Sequence, residues 1–508
     1  MKSKKTLKFA LSLLLLLSFT ILILISCQSS ENNTNNPTQS QSPDGQTPSG
    51  GEESSPPEFT PVEGANYGGT KFRILGYDGA VTDSWHFLSI CEVVAEEENG
   101  NPINDSFYRR NKEVEALYNV EITLVPTQRG GNDVTMYTKT VLADSDEFDA
   151  AFMTGSSAIK ALNQANMAYN LFDIPELDLS KSWWDQNAIK GLSIGNKITA
   201  AMGDVNFFAS VTPMAIFANK QLMQEYAVEN LYQAVRDGKW TWDLLHTIAK
   251  QTTKDLNGDG IIDKYDQIGL FAQSGHLYSA INCAGEIIAP KNSDDIPEFS
   301  PNLERLSAVA DKVVPILNDK SCSIMAENIL AGYGNIFVEL IMPKFRDGEV
   351  MFHVNQMMLN FELRNMEADF AILPFPKIDE KQEKYGSIIL HGHTTYTIVP
   401  STCKDTAKTA NILQAMGYYS QKYVMPAYYD VTVTNKFLRD DDSAEMLDII
   451  LKNRVFDIEA LYRWGDTTAL FMNIAASGKP DTIVSQLESI KDKANSEIQK
   501  TLSELEGG

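Results

Sequence analysis

Short apolar runs with a two-residue alternation recur along this chain, each followed by a stretch with helical spacing, and this order narrows the fold more than any other feature. In KFRILGY (71–77), Phe72 and Ile74 alternate with charged neighbours and Gly76 closes the run. In NDSFYRRNKEVEALYNVEITL, Asn104 or Asp105 is placed to cap a helix that carries Phe107, Val114, Leu117 and Tyr118 on one face. Val120, Ile122 and Leu124 then alternate as a second strand, and EFDAAFMTG (147–155) reads as a third. Strand, helix, strand, helix, strand predicts an α/β layer with a largely parallel sheet. The same order returns in FFASVTPMAIFANK (207–220), VMFHV (350–354), FAILPFP (370–376) and HTTYTIVP (393–400). Trp240 and Trp242 flank Thr241 at a helix start and read as packing residues. After Pro480, a stripe of Ile483, Leu487, Ile490, Ala494, Ile498, Leu502 and Leu505 predicts a long helix packed on its own domain. The chain's 508 residues leave room for two or three domains at about 150 residues each.

The first 27 residues decide where these domains work. Lys2, Lys4, Lys5 and Lys8 precede an apolar run from Phe9 to Ile25, and Leu24-Ile25-Ser26 leads directly into Cys27. A basic start, an apolar centre and small residues before the cut read as an export signal over residues 1–26, with Cys27 as the lipidated residue. The competing reading is a retained membrane helix, for which the run is nearly long enough. Residues 27–64 contain NNTNNPTQSQSPDGQTPSGGEESSPP, too poor in apolar groups to offset ordering entropy. They read as a flexible tether with a reach of ~30 Å, which places the rest on the extracytoplasmic face of the cell membrane. A formal charge of −24 argues against nucleic acid or an anionic membrane surface as partner. Beyond Cys27, the cysteines Cys91, Cys283, Cys322 and Cys403 are widely spaced and lack a Cys-x-x-Cys pair. Sequence does not choose among their three possible pairings, and in a chain this long free buried thiols are the expectation.

The sharpest motif is DLNGDGIIDKYD, residues 255–266. Asp255, Asn257 and Asp259 fall at the first, third and fifth positions of a calcium loop, and Gly260 supplies the tight turn. Ile261 offers a backbone carbonyl, and Asp263 and Asp266 complete the oxygen set. A Ca2+ ion bracing the fold is expected there, the alternative being an Asp/Asn/Gly turn without an ion. No serine-nucleophile elbow, phosphate loop, zinc-protease motif or dinucleotide fingerprint is present. His391 and His393, in LHGHTT, suit a pocket lining better than a metal pair, having no nearby Cys or carboxylate in sequence. Aromatics near strand ends, among them Tyr77, Trp85, Trp183, Trp184, Phe207, Phe208, Tyr396 and Trp464, suit stacking against sugar faces. Each taken singly is as readily a core residue.

Several stretches together resemble the family 1 extracellular solute-binding proteins, the maltose-binding-protein-like receptors of ABC importers. They are NDSFYRRNKEVEALYNVEI, WWDQNA, GDVNFFASVTPMAIFANKQLM, GKWTWDLL with the DLNGDGIID loop, FRDGEVMFHV, ADFAILPFPKIDEKQEKYGS and LRDDDSAEMLDII. The resemblance runs from about Gly68 to the C-terminus. It implies a monomer of two α/β lobes, each a mainly parallel sheet flanked by helices, that traps a carbohydrate by hinge closure and delivers it to an ABC permease. Residues 65–208 and 374–425 would form one lobe, and 209–373 and 426–508 the other. Crossings would fall near 204–213, 372–374 and 423–433. It also implies solute contacts at Tyr77, Thr154, Gly155, Asp204, Asn206, Phe207, Asn355, His391 and Trp464, and no catalytic residues. Two other classes share these features, an exported glycoside-active enzyme and a solute sensor that signals through a partner.

Overall fold

The computed structural model describes residues 59–79, 89–129, 131–162, 167–363, 366–434 and 441–506. The leader, Cys27, most of the tether and Trp85 lie outside the described residues. Eleven strands are present among those described: β1 (Thr70–Tyr77), β2 (Val120–Thr127), β3 (Ala150–Thr154), β4 (Met214–Asn219), β5 (Ile268–Ala272), β6 (Ser323–Met325), β7 (Val350–Gln356), β8 (Phe370–Leu373), β9 (Ser387–Ile388), β10 (Thr395–Ile398) and β11 (Arg454–Val455).

The first sheet has the order β10-β3-β1-β2. Its three N-terminal strands run parallel, and β10 returns antiparallel to β3. The helix joining β1 to β2 spans Pro102–Tyr118 and begins earlier than its sequence suggests. Asn101 caps it by accepting the N–H groups of Ile103 and Asn104, and Pro102 fills the first position, where a missing N–H costs nothing. Asp105 instead accepts the N–H groups of Asn99 and Gly100 in the loop before. Phe72, Ile74, Tyr118, Ile122 and Phe152 form the centre of this lobe's core together with Trp183 and Trp184. Both indoles donate to one acceptor, Gln414 Oε1, at 2.6 and 2.9 Å, which ties WWDQNA to the helix Thr406–Tyr419.

The second sheet has the order β6-β5-β7-β4-β8. All its strands share one direction except β4, which is antiparallel to both of its neighbours, β7 and β8. Each lobe is therefore a mainly parallel sheet with one reversed strand. Apolar cores cover both faces: Met214, Ile216 and Ala218 of β4 point to one and Ala215 and Phe217 to the other. A strand covered on both sides reads as an unbroken apolar run, which is what MAIFAN is. Trp240 and Trp242 are fully buried in the first of these cores, with Thr241 Oγ1 capping the helix Trp242–Thr252. The terminal helix Ile483–Glu506 packs there through Ile483, Leu487, Ala494 and Ile498, as its stripe predicts. All four described cysteines are free, and three of them are buried. Among the described residues, no helix is long and apolar enough to cross a membrane.

Three segments link the sheets. The first leaves the bridges Trp184–Gly203 and Ala201–Thr397, passes through Phe208–Val211 and becomes β4. After β8, residues 374–388 keep backbone and side-chain partners in the second lobe. Trp242 N–H donates to Lys377 O at 3.0 Å, and Gln382 Nε2 to Cys283 O at 2.9 Å. The chain rejoins the first sheet only at β10, later than the 372–374 expected, because Lys377 pairs beside Thr241 and prolongs the second lobe. The third segment follows Tyr419 through 420–434. Side chains lace the three together: Gln421 Nε2 donates to Asp204 Oδ2 at 3.1 Å, and Thr394 Oγ1 donates to Phe208 O at 3.2 Å and hydrogen-bonds Thr212 Oγ1.

Candidate functional site: the cleft between the lobes

A cavity of about 770 Å³ opens where the two sheets face the second linking segment. Ser156, Ile159 and Lys160 of the helix Gly155–Leu162, which follows β3, form one wall. The opposite wall is the end of β7, with Asn355 and Gln356, together with Gly275, His276, Tyr278 and Ser279 of the helix Gly275–Cys283. The turn 389–393 forms the floor, and Tyr462, Arg463, Thr468 and Met472 close one side. Strand ends and helix starts converge here because every parallel strand delivers its chain to the same edge. The size is ordinary for a small-molecule site.

Of the nine residues expected to touch solute, Asn355 and His391 line this cleft. The other seven are outside its lining. Tyr77 donates to Asp133 Oδ2 at 2.6 Å and accepts from the Thr154 N–H at 2.9 Å, holding the end of β3. A side chain at Gly155 would place its Cβ 2.7 Å from Tyr396 Cε2 and 2.9 Å from His391 Cβ, so glycine lets the helix start touch the turn 389–393. Asp204 bonds Gln421, and burial pushes its carboxyl up to about 7. Asn206 is fully buried and accepts from Thr397 Oγ1 at 3.0 Å. Phe207 lies edge-on to Phe107 and Tyr428. Trp464 donates to Thr501 Oγ1 at 3.0 Å and stacks on Tyr462 with ring centres 5.0 Å apart.

Trp464 thus anchors the turn that presents its neighbour. Arg463 and Asp466 both have φ of 57°, and Gly465, at φ 74°, donates its N–H to Glu497 Oε2 at 2.6 Å on the terminal helix. This left-handed turn, costly for a non-glycine residue, directs Arg463 to the cleft. Trp464 itself is outside the lining, and its neighbours Tyr462 and Arg463 are within it. Tyr462 and Arg463 carry no motif of their own, nor does His276, which lies in a helix with no periodic cue.

The imidazoles are neutral at physiological pH. Burial pushes His276 down to about 3, and His391 and His393 down to about 4. His276 Nδ1 accepts the Gln273 N–H at 3.1 Å, which leaves Nε2 as the protonated nitrogen. That Nε2 is buried without a partner. His391 Nδ1 is hydrogen-bonded to Tyr396 Oη. Among the described residues, Lys160 and Arg463 are the cleft's charged residues, and no carboxylate lines it.

No protein-family model and no curated protein matches this chain. Solved structures do. A Staphylococcus aureus extracellular solute-binding protein in complex with maltose aligns with TM-score 0.52 and 15% identity, covering 85% of this chain and 98% of that one. A cyclo/maltodextrin-binding protein complexed with maltotetraose gives 0.52 and 12%, covering 85% and 97%. The ABC substrate-binding protein Lmo0181 from Listeria monocytogenes, in complex with cycloalternan, gives 0.51 and 14%, covering 85% and 99%. The fold is that of the two-lobed solute-binding proteins. The similarity spans nearly the whole of each of those chains, and the ligands in them belong to those proteins.

The loop 255–266 lies apart from the cleft, between the helix Trp242–Thr252 and β5. Its carboxylates turn inward onto its own backbone. Asp255 accepts the N–H groups of Gly258 and Gly260, and Asp266 those of Leu256 and Asp263. Asn257 Oδ1 accepts from Asp259, Asp259 Oδ1 from Ile261, and Asp263 Oδ1 from Tyr265. Gly258 and Gly260 hold φ of 77° and 80°, which keeps the turn tight.

Proposed function

We propose that this chain is an extracytoplasmic receptor that closes two lobes over a carbohydrate and passes it to an ABC permease. The observation that carries the reading is the cleft itself: rings of Tyr278 and Tyr462 and the amides of Asn355 and Gln356, in a cavity between lobes joined by three segments. Rings that stack on C–H faces and directed donors and acceptors are what saccharide recognition uses. The sugars bound by proteins of the same fold support the reading. The reading is of capture without bond cleavage. A lipid on Cys27 would hold the receptor to the membrane, with 27–64 as its tether.

The oxygens of Asp255, Asn257, Asp259, Asp263 and Asp266, with the Ile261 carbonyl, suit a hard cation, and the two left-handed glycines allow the chain to wrap it. Ca2+ there would brace the second lobe rather than touch solute.

Isothermal titration of the full-length chain in detergent against mono- and oligosaccharides, amino acids and polyamines, with calcium present, tests the receptor reading. A saccharide binding with one site per chain, and a chromogenic glycoside left intact, is the expected result. Saturating ligand at ~100 times its dissociation constant should also stabilise the fold by ~2.7 kcal/mol. Binding of amino acids or polyamines alone would refute the carbohydrate assignment.

A further inference from the structure

The cleft's charge narrows the ligand class, and the inference rests on the receptor reading above. The chain carries 67 Asp and Glu against 43 Lys and Arg. Acids outnumber bases in the chain, yet among the described residues this lining holds two cations and no acid. Lys160 comes from the helix after β3 and Arg463 from the turn after Ile458–Tyr462, and both are exposed at the cleft. Neither forms an ion pair with another described residue. The acids nearest Arg463 in sequence do not cancel it. Asp457 and Glu459 are buried behind the wall, and burial favours their neutral forms. Asp466 is exposed on the same turn but outside the lining.

Three further features point the same way. The helix Gly155–Leu162 begins at the cleft wall, where its positive dipole end adds to the field, whereas Glu327, accepting from Ser274, offsets the dipole of the helix Gly275–Cys283. His276, 2% exposed, holds Nε2–H as a donor that no described residue accepts. The Arg463 backbone sits in the left-handed region, and the turn is tied to the terminal helix through Gly465 and Trp464, so the point from which the side chain leaves is held at some backbone cost.

Two cations without an ion-pair partner line one cavity, and an anionic guest would meet complementary charge there. A guanidinium fork matches the planar pair of oxygens of a carboxylate, or two oxygens of a sulfate ester. We propose that the ligand is an anionic saccharide, whose carboxylate or sulfate group is held by Arg463 in a field reinforced by Lys160, with a sugar ring against Tyr462 and His276 donating to a ring substituent.

Titration calorimetry of the full-length chain in detergent tests this with three sets of probes: neutral maltotriose and raffinose, uronate oligosaccharides such as trigalacturonate, and sulfated disaccharides. An anionic probe should bind at least about tenfold tighter than any neutral one, and weaken as salt rises from about 50 to 500 mM. Whether the uronate or the sulfate set binds identifies the group. Arg463→Gln should lower that affinity about tenfold or more. Lys160→Gln, at an exposed helix position where folding is safe, should lower it by about threefold and reduce the salt dependence. Tight binding of a neutral trisaccharide that neither variant changes overturns the anionic assignment and leaves the receptor reading standing. Anion binding that both variants leave unaltered also overturns it. No saccharide bound at all brings down both.

Discussion

Glu459→Gln separates the electrostatics of the cleft wall from its packing. Glu459 and Asp457 are both 0% exposed. Asp457 Oδ1 caps the helix Ile458–Tyr462 by accepting the Glu459 N–H at 3.1 Å, but its Oδ2 and both Glu459 oxygens are buried without a hydrogen-bond partner. Thr467 lies close enough to temper the effect without bonding at normal geometry. Burial, and for Glu459 the neighbouring Asp457 charge, push both carboxyls well above the ordinary range. The folded state therefore holds protons that the unfolded chain releases near pH 4. Stability from this source is full below that pH and is lost as pH rises until the folded carboxyls ionise. A rise of about three pH units in a buried carboxyl corresponds to roughly 4 kcal/mol at ~1.4 kcal/mol per unit. Glutamine keeps the shape and cannot ionise. Urea unfolding of both proteins should give equal stability within about 1 kcal/mol at pH 4.5, and by pH 9 the variant should be more stable by ~3 to 4 kcal/mol. A difference that stays flat with pH, or favours the wild type at pH 9, would refute the claim that this carboxyl is buried without compensation.

Gln414→Leu strands the indole N–H groups of Trp183 and Trp184, each a buried donor worth ~1 to 3 kcal/mol. A loss of about 3 kcal/mol in urea unfolding is expected, with ligand affinity in the folded protein unchanged because none of the three lines the cleft. Removing calcium with a chelator should lower the melting temperature by several degrees, and Asp259→Ala should abolish that response; bound metal measured by emission spectrometry checks the loop directly. Cys27→Ala should move the protein from the membrane to the soluble fraction on cell fractionation while leaving solute binding intact.

Strands and their flanking helices were legible because burial imposes a period. Phe72 and Ile74 in β1 alternate, and the stripe from Ile483 repeats at helical spacing. Even the fully covered β4 was visible as an unbroken apolar run. The start of the helix Pro102–Tyr118 was less legible: Asn101, Asn104 and Asp105 are all good caps, and only the loop's path decides which one accepts. The cleft was legible in location and poorly in membership. Asn355, near the end of β7, and His391, in the turn before β10, face it, whereas Phe207 and Trp464, also near element ends, turn into cores.

Local rules, then, determined the elements. Alternation, capping and turn chemistry act over a few residues, and the amino-acid order alone contains them. What only the tertiary structure decided is which side chains share a space. Lys160, His276 and Arg463 are separated by more than a hundred residues each and meet because two sheets present their strand ends to one another. No local pattern records that meeting. It depends on how the linking segments bring the two sheets and their cores together, and on a left-handed turn at 463–466 held by the terminal helix.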